Sequence, residues 1–265
     1  MSHRPPRALG AAVVVAALLV GAGAAWSVGR AQDQHRGDAL DSPTPSRAAP
    51  TATVSRAPVS PTPSPTPAFD LTAHSTTDPA SPWVVANKHH RLDPVRYAPD
   101  DLVGFEGEKV REKVVRDLRD MVDAAASDGV ELTMQSGYRS YAYQERIFGN
   151  MLAIHGRDHA ERYSARPGYS EHQTGLAVDL GSATSPDCDF TTCFARTPEG
   201  RWIAEHAGEY GFLVRYTRAN QAVTGYSPEA WHLRWVGRGL TAHMAAEGVT
   251  TLEEVFDVDG GPDYR

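Results

Sequence analysis

Two short segments carry most of the side chains able to do chemistry. One is Ser170-Glu171-His172-Gln173-Thr174-Gly175-Leu176-Ala177-Val178-Asp179; the other, about fifty residues later, is Glu229-Ala230-Trp231-His232. Together they supply two imidazoles, a carboxylate able to bind a metal and a second carboxylate free to act as a base. Three protein ligands with an open fourth position is the arrangement of a catalytic zinc site, whereas a structural site closes all four, usually with cysteines. The chain has only 2 cysteines. Two imidazoles with one carboxylate favour Zn2+ over other divalent ions.

Strand parity shows how such residues would meet. In a strand over Gly175–Leu180, Leu176, Val178 and Leu180 share one face, and Ala177 and Asp179 the other. Asp179 therefore lies opposite the apolar face, beside a residue small enough to leave room. Gly175 gives the backbone the latitude to bring His172 over Asp179. In a strand over Trp231–Val236, Trp231, Leu233 and Trp235 face the core, while His232, Arg234 and Val236 face away. Glu229 sits three residues before His232 and would point to the opposite side of a regular strand, so Pro228 predicts a bend that swings it toward the metal. There it would be the general base. Arg139, in Tyr138-Arg139-Ser140, offers a planar cation for an oxyanion or a terminal carboxylate. Gln144, on the first turn of the next helix, is placed to donate to a peptide carbonyl.

The supporting elements read as α+β, a small antiparallel sheet covered by helices. Val110, Val114, Leu118, Met121 and Val122 recur at helical spacing and predict an amphipathic helix from Glu106 to about Ala126. Leu132–Ser136 alternates as a strand. Tyr141 to about His155 reads as a helix with Ile147, Met151 and Ile154 on one stripe. A helix over Trp202–Tyr210, a strand over Phe212–Tyr216 and a closing helix over Leu240–Ala246 complete the pattern.

The N-terminal third is different. His3, Arg4 and Arg7 precede an uncharged, Ala/Val/Leu/Gly-rich run from Ala8 to about Val28. Residues 1–30 thus read as a signal peptide, with a candidate cleavage site at Ala22-Gly23-Ala24, or as a single membrane anchor. The length of the run favours the anchor. Either way the remainder is extracytoplasmic, facing the cell envelope. Residues 31–80 read as a disordered linker that includes Ser60-Pro61-Thr62-Pro63-Ser64-Pro65-Thr66-Pro67, because repeated proline keeps a chain extended and solvated. Residues 81–265 have the composition of one folded domain. In an exported domain Cys188 and Cys193 predict a local disulfide; the alternative, a zinc pair, lacks a matching Cys/His pair. The net charge of −7 argues against a nucleic-acid partner, and a monomer is expected.

At this level the chain resembles a known family. Ser136-Gly137-Tyr138-Arg139-Ser140-Tyr141 with Gln144, Pro167-Gly168-Tyr169 leading into the Ser170–Asp179 segment, Gly211-Phe212-Leu213-Val214-Arg215-Tyr216, and Glu229-Ala230-Trp231-His232-Leu233-Arg234-Trp235-Val236-Gly237 resemble the VanY-type D-alanyl-D-alanine carboxypeptidases of the M15 zinc peptidases. The resemblance covers about Trp83 to Gly248. It implies an M15/hedgehog-like peptidase fold, with His172, Asp179 and His232 as zinc ligands, Glu229 as catalytic base and Arg139 as the cation that stabilises the transition state. Gln144 and Ser170 match positions that contact substrate. The implied activity is removal of the C-terminal D-alanine from peptidoglycan stem peptides. A dipeptidase, an L,D-carboxypeptidase and an endopeptidase are alternatives with the same machinery, and an inactive wall-binding module is the non-enzymatic one. The chain departs from the family at Ala230, at Trp235 and in Thr217-Arg218-Ala219-Asn220; the loop over Thr217–Thr224 is expected to border the cleft.

Overall fold

The computed structural model describes residues 69–265. The proposed signal or anchor (1–30) and most of the linker lie outside the described residues. No helix among the described residues is long and apolar enough to cross a membrane.

The chain first forms a hairpin, β1 (Leu102–Phe105) with β2 (Glu108–Arg111). Helix α1 (Glu112–Ser127) follows it, then β3 (Leu132–Ser136), α2 (Tyr141–His155) and α3 (Arg157–Tyr163). A 3-10 turn over Glu171–Thr174 leads into β4 (Ala177–Ser182), followed by α4 (Pro198–His206), β5 (Phe212–Tyr216), the single turn α5 (Gln221–Thr224), β6 (Glu229–Trp235), α6 (Arg238–Glu247) and α7 (Leu252–Phe256). Strands β3 to β6 build one antiparallel sheet in the order β3-β4-β6-β5. The α+β reading holds.

One face of the sheet is the core. Leu176, Val178, Leu180 and Leu233 pack there against Val114, Leu118, Met121 and Ala125 of α1. The periodicity that predicted α1 overruns its start. Glu106 and Gly107 both take positive φ, the geometry of a two-residue hairpin turn, so residues 102–111 pair as strands and Val110 reaches the core from β2. Truncating Leu118, which has no exposed surface, to alanine would cost about 2–5 kcal/mol.

A second apolar cluster joins Trp83, Val85, Val236, Leu240, Met244 and Leu252, with Phe69 and Leu71 against it. Residues 69–80, assigned to the linker on composition, therefore pack on the domain. Their apolar anchors Phe69 and Leu71 precede a polar stretch, which hides the packing from a compositional reading.

The stripe on α2 also has a different use. Only Gln144 of that helix is buried. Ile154 is exposed, and Ile147 and Met151 line a cleft on the sheet's other side.

Candidate metal centre

Two glycines bring His172 to the sheet. Gly175 closes the 3-10 turn with φ +68, and a β-carbon there would press on Arg111 and Leu102. Gly137 lies so close to the Lys109 carbonyl that a β-carbon would collide with it. This close approach puts the Gly137 carbonyl 2.7 Å from His172 Nδ1, and the Arg139 amide donates to the His172 carbonyl at 3.1 Å. Asp179 on β4 and His232 on β6 are directly opposed in the ladder, so the parity argument is met.

The three side chains converge. His172 Nε2 lies 3.1 Å from His232 Nδ1 and 3.3 Å from Asp179 Oδ2, and His232 Nδ1 lies 3.1 Å from Asp179 Oδ1. All three residues are at most 3% exposed. A tetrahedral zinc with bonds of about 2.0–2.1 Å needs ligand atoms about 3.3 Å apart, so the donor set and its spacing fit that ion.

The outer nitrogens are held as well. Gly137 accepts from His172 Nδ1, and Glu171 Oε2 accepts from His232 Nε2 at 3.1 Å. These bonds hold the outer N–H of each ring, so that each would offer the lone pair of its inner nitrogen to a bound metal. Glu171 is itself clamped. Its Oε1 accepts from Arg215 Nε at 2.8 Å and Arg234 Nη1 at 3.1 Å, and Arg215 makes a two-pronged pair with Glu253 of α7 at 2.7 and 2.9 Å. Burial opposes the Glu171 charge, but the two guanidiniums and His232 hold its carboxyl well below the usual carboxylate range. In the metal-free protein burial also works against a charged His232, yet its bonds to Asp179 and Glu171 raise it to about 9. His172 is lowered to about 4 by burial and by Arg139, against the pull of Asp179.

Glu229 opens β6 and faces the same cleft. Val214 pairs with Leu233 and Tyr216 with Glu229, so two residues of β5 span four of β6. This bulge turns Glu229 toward the cluster; the predicted bend at Pro228 is thus located within the strand rather than before it. Burial raises the Glu229 carboxyl to about 7, with Asp179 adding to the rise and His232 and Arg139 opposing it. Arg139 places Nη2 3.8 Å from Asp179, and its buried Nε has no hydrogen-bond partner.

The sequence pattern of the VanY family, described as D-alanyl-D-alanine carboxypeptidase, matches residues 107–238. YodJ of Bacillus subtilis (strain 168), named as a carboxypeptidase, is 39% identical over 191 residues, which is 68% of each chain. The chain belongs to the VanY family. The solved LdcB LD-carboxypeptidase is 36% identical, with a TM-score of 0.62 over 68% of this chain and 87% of that one. A vancomycin-resistance D,D-pentapeptidase VanY, solved with Zn(II), is 30% identical, with a TM-score of 0.56 over 64% of this chain and 96% of that one.

Against this VanY framework two expectations change. Gln144 does not offer a donor, because its Nε2 is taken by the Ala165 carbonyl at 2.7 Å and by Ser164 at 3.1 Å. The buried Oε1 is left without a partner, so the unused hydrogen-bonding capacity of this cleft-lining residue is that of an acceptor. The loop after Tyr216 does not border the cleft. Asn220 turns inward, accepting from the Thr217 amide and donating to the Arg215 carbonyl, and the wall there comes from Tyr216 and Tyr226. Ser170 is buried and lines the cleft as expected. Cys188 and Cys193 form the predicted disulfide.

Sequence reasoning assigned no role to Glu171, Tyr216 or α3. Tyr216 stacks on His232 at 4.8 Å, and His159 and Tyr163 of α3 form part of the cleft wall. For Glu171 a signal existed: a carboxylate beside a candidate ligand and two arginines in core-forming strands, Arg215 and Arg234.

Proposed function

We propose that the protein is a zinc carboxypeptidase that removes the C-terminal D-alanine from peptidoglycan stem peptides. The observation that carries this reading is the buried His172–Asp179–His232 cluster at zinc spacing, with Glu229 and Arg139 lining the same cleft. His172 Nε2, His232 Nδ1 and the Asp179 carboxylate would hold the metal. Zinc, when bound, acidifies water and polarises a carbonyl. Glu229 takes the proton of the attacking water and returns it to the departing amine. Burial raises this carboxyl in the metal-free protein, which makes it a stronger proton acceptor than an exposed carboxylate. Arg139 aims an N–H at the developing oxyanion or the terminal carboxylate, and Gln144 Oε1 accepts an N–H of the peptide. Asp179 stays anionic because burial is outweighed by His172, His232 and Arg139.

The disulfide supports an oxidising, extracytoplasmic location, where the basic and apolar N-terminal segment would deliver the domain. A second reading, cleavage after an L-residue rather than after D-alanine, draws support from the likeness to LdcB.

Mass spectrometry of zinc-loaded protein with a pentapeptide ending in D-Ala-D-Ala, a tetrapeptide ending in one D-Ala, and the free dipeptide tests both. Release of one alanine from the pentapeptide supports the first reading, and release from the tetrapeptide alone supports the second. No release from any of the three overturns both.

A further inference from the structure

The disulfide encloses the tip of a loop that the proposed chemistry does not use. Cys188 and Cys193 are five residues apart, and between them Phe190, Thr191 and Thr192 line the cleft that holds Glu229 and the metal cluster. Phe190 stands with φ +56, a conformation rare for a bulky side chain and kept only where the surroundings impose it. Here they do. Besides the disulfide, the Ser182 amide donates to Asp189 Oδ1 at 2.8 Å, tying the loop to the end of β4, and the Thr191 amide and hydroxyl both donate to the Cys188 carbonyl.

This construction holds an aromatic ring in the open. Phe190 is 49% exposed, and its ring meets the edge of Trp231 at 6.0 Å. Its position is specific. The cleft of about 550 Å³ adjoins a second cavity of about 500 Å³, and both are walled by Arg139, Ile147, Asp179 and Phe190. Arg139 and Asp179 belong to the reacting centre. Phe190 and Ile147 are therefore the apolar part of a partition between the two cavities, right beside that centre. A carboxypeptidase must end its cleft one residue past the bond it cuts, and a ring held in this place does so.

We propose that the Cys188–Cys193 loop is the specificity rim of the cleft: it holds Phe190 as the partition that limits the released C-terminal residue to a small side chain. This rests on the carboxypeptidase reading above. Truncating the ring would join the two cavities and admit a larger terminal residue, and opening the disulfide would release the ring to the same effect. Size discrimination by one apolar wall is worth about tenfold or more.

The test uses zinc-loaded protein and two pentapeptides, one ending in D-alanine and one in D-leucine, with kcat and KM for each. Phe190→Ala should narrow the preference for D-alanine over D-leucine by about tenfold. The change should arise mainly from a lower KM for the leucine peptide. The double variant Cys188→Ser/Cys193→Ser should shift it the same way. Zinc content and unfolding temperature identify variants that have lost their fold. For those, binding of both peptides to Phe190→Leu, which keeps an apolar side chain but loses the ring, replaces the alanine variant. A folded Phe190 variant with the wild-type preference overturns the proposal. If the wild type releases neither amino acid, the carboxypeptidase reading falls and the rim with it. If the wild type releases D-alanine and the variants discriminate as it does, only the rim falls.

Discussion

Glu229→Gln separates what the carboxylate costs the fold from what it contributes to the reaction. Burial holds the Glu229 carboxyl at about 7, against an ordinary value of 4.5. At about 1.4 kcal/mol per pH unit, ionising it would cost the metal-free fold about 3 kcal/mol. Glu229 is only half-buried, and solvent in the cleft reduces this to about 2 kcal/mol. The sign follows from the raised value: the stability is fully present below about pH 4.5 and is lost as pH rises through about 7. Glutamine cannot ionise. The metal-free variant should therefore match the wild type near pH 4 and exceed it by about 2 kcal/mol at pH 8.5, a gain of about 4–8 °C for a domain of this size. Bound zinc favours the ionised carboxylate, so loading the metal should shrink the gain. In zinc-loaded protein the same change should lower kcat by about 10²–10⁴ with metal content intact. Thermal unfolding of chelator-stripped protein at the two pH values, with turnover and metal analysis beside it, reads out every term. A variant with wild-type turnover refutes the base assignment, and a stability difference independent of pH refutes the burial argument.

Three further outcomes are expected. His172→Ala or His232→Ala should abolish stoichiometric zinc, and a variant of either that still holds one zinc per chain shows the ligand set to be wrong. Because His232 sits near 9 without metal while His172 and Asp179 bind no proton at neutral pH, zinc must displace one proton from His232, and below about pH 7 a second from Glu229. Zinc affinity should rise about tenfold per pH unit between about pH 7 and 9, more steeply below about 7, and level off above about 9, which calorimetry in buffers of different ionisation enthalpy would register. Glu171→Gln keeps the shape but leaves Arg215 and Arg234 short of a counter-charge and weakens the hold on His232. Zinc affinity should fall about 10–100-fold, measured by chelator competition, and unchanged affinity would limit Glu171 to a structural role.

The parts of the site that were legible are those set by local geometry. A strand sends alternate side chains to opposite faces wherever it lies, so Asp179 opposite Val178 and His232 opposite Leu233 could be placed before any pairing was known, and the ladder then set Asp179 against His232. Gly175 as the hinge before β4 and the short Cys188–Cys193 loop are local in the same sense. Where neighbours distant in the chain decide, the same reading went astray. The apolar positions of α2 also recur at helical spacing, but no layer covers them and they wall a cleft instead. Gln144 was given the wrong polarity because the carbonyl that consumes its amide, that of Ala165, lies 21 residues away.

The sequence by itself thus determined the candidate metal ligands, the candidate base and the strands that carry them, since residue type and strand parity are properties of a few adjacent residues. Only the tertiary structure decided what surrounds them. Glu171 is charged because arginines 44 and 63 residues away close on one oxygen. Glu229 faces the cluster because β5 and β6 fall out of step. Phe190 stands at the cleft because its loop is tied to the end of β4. Each depends on a buried electrostatic or packing contact between distant segments, and such contacts exist only once the chain has folded.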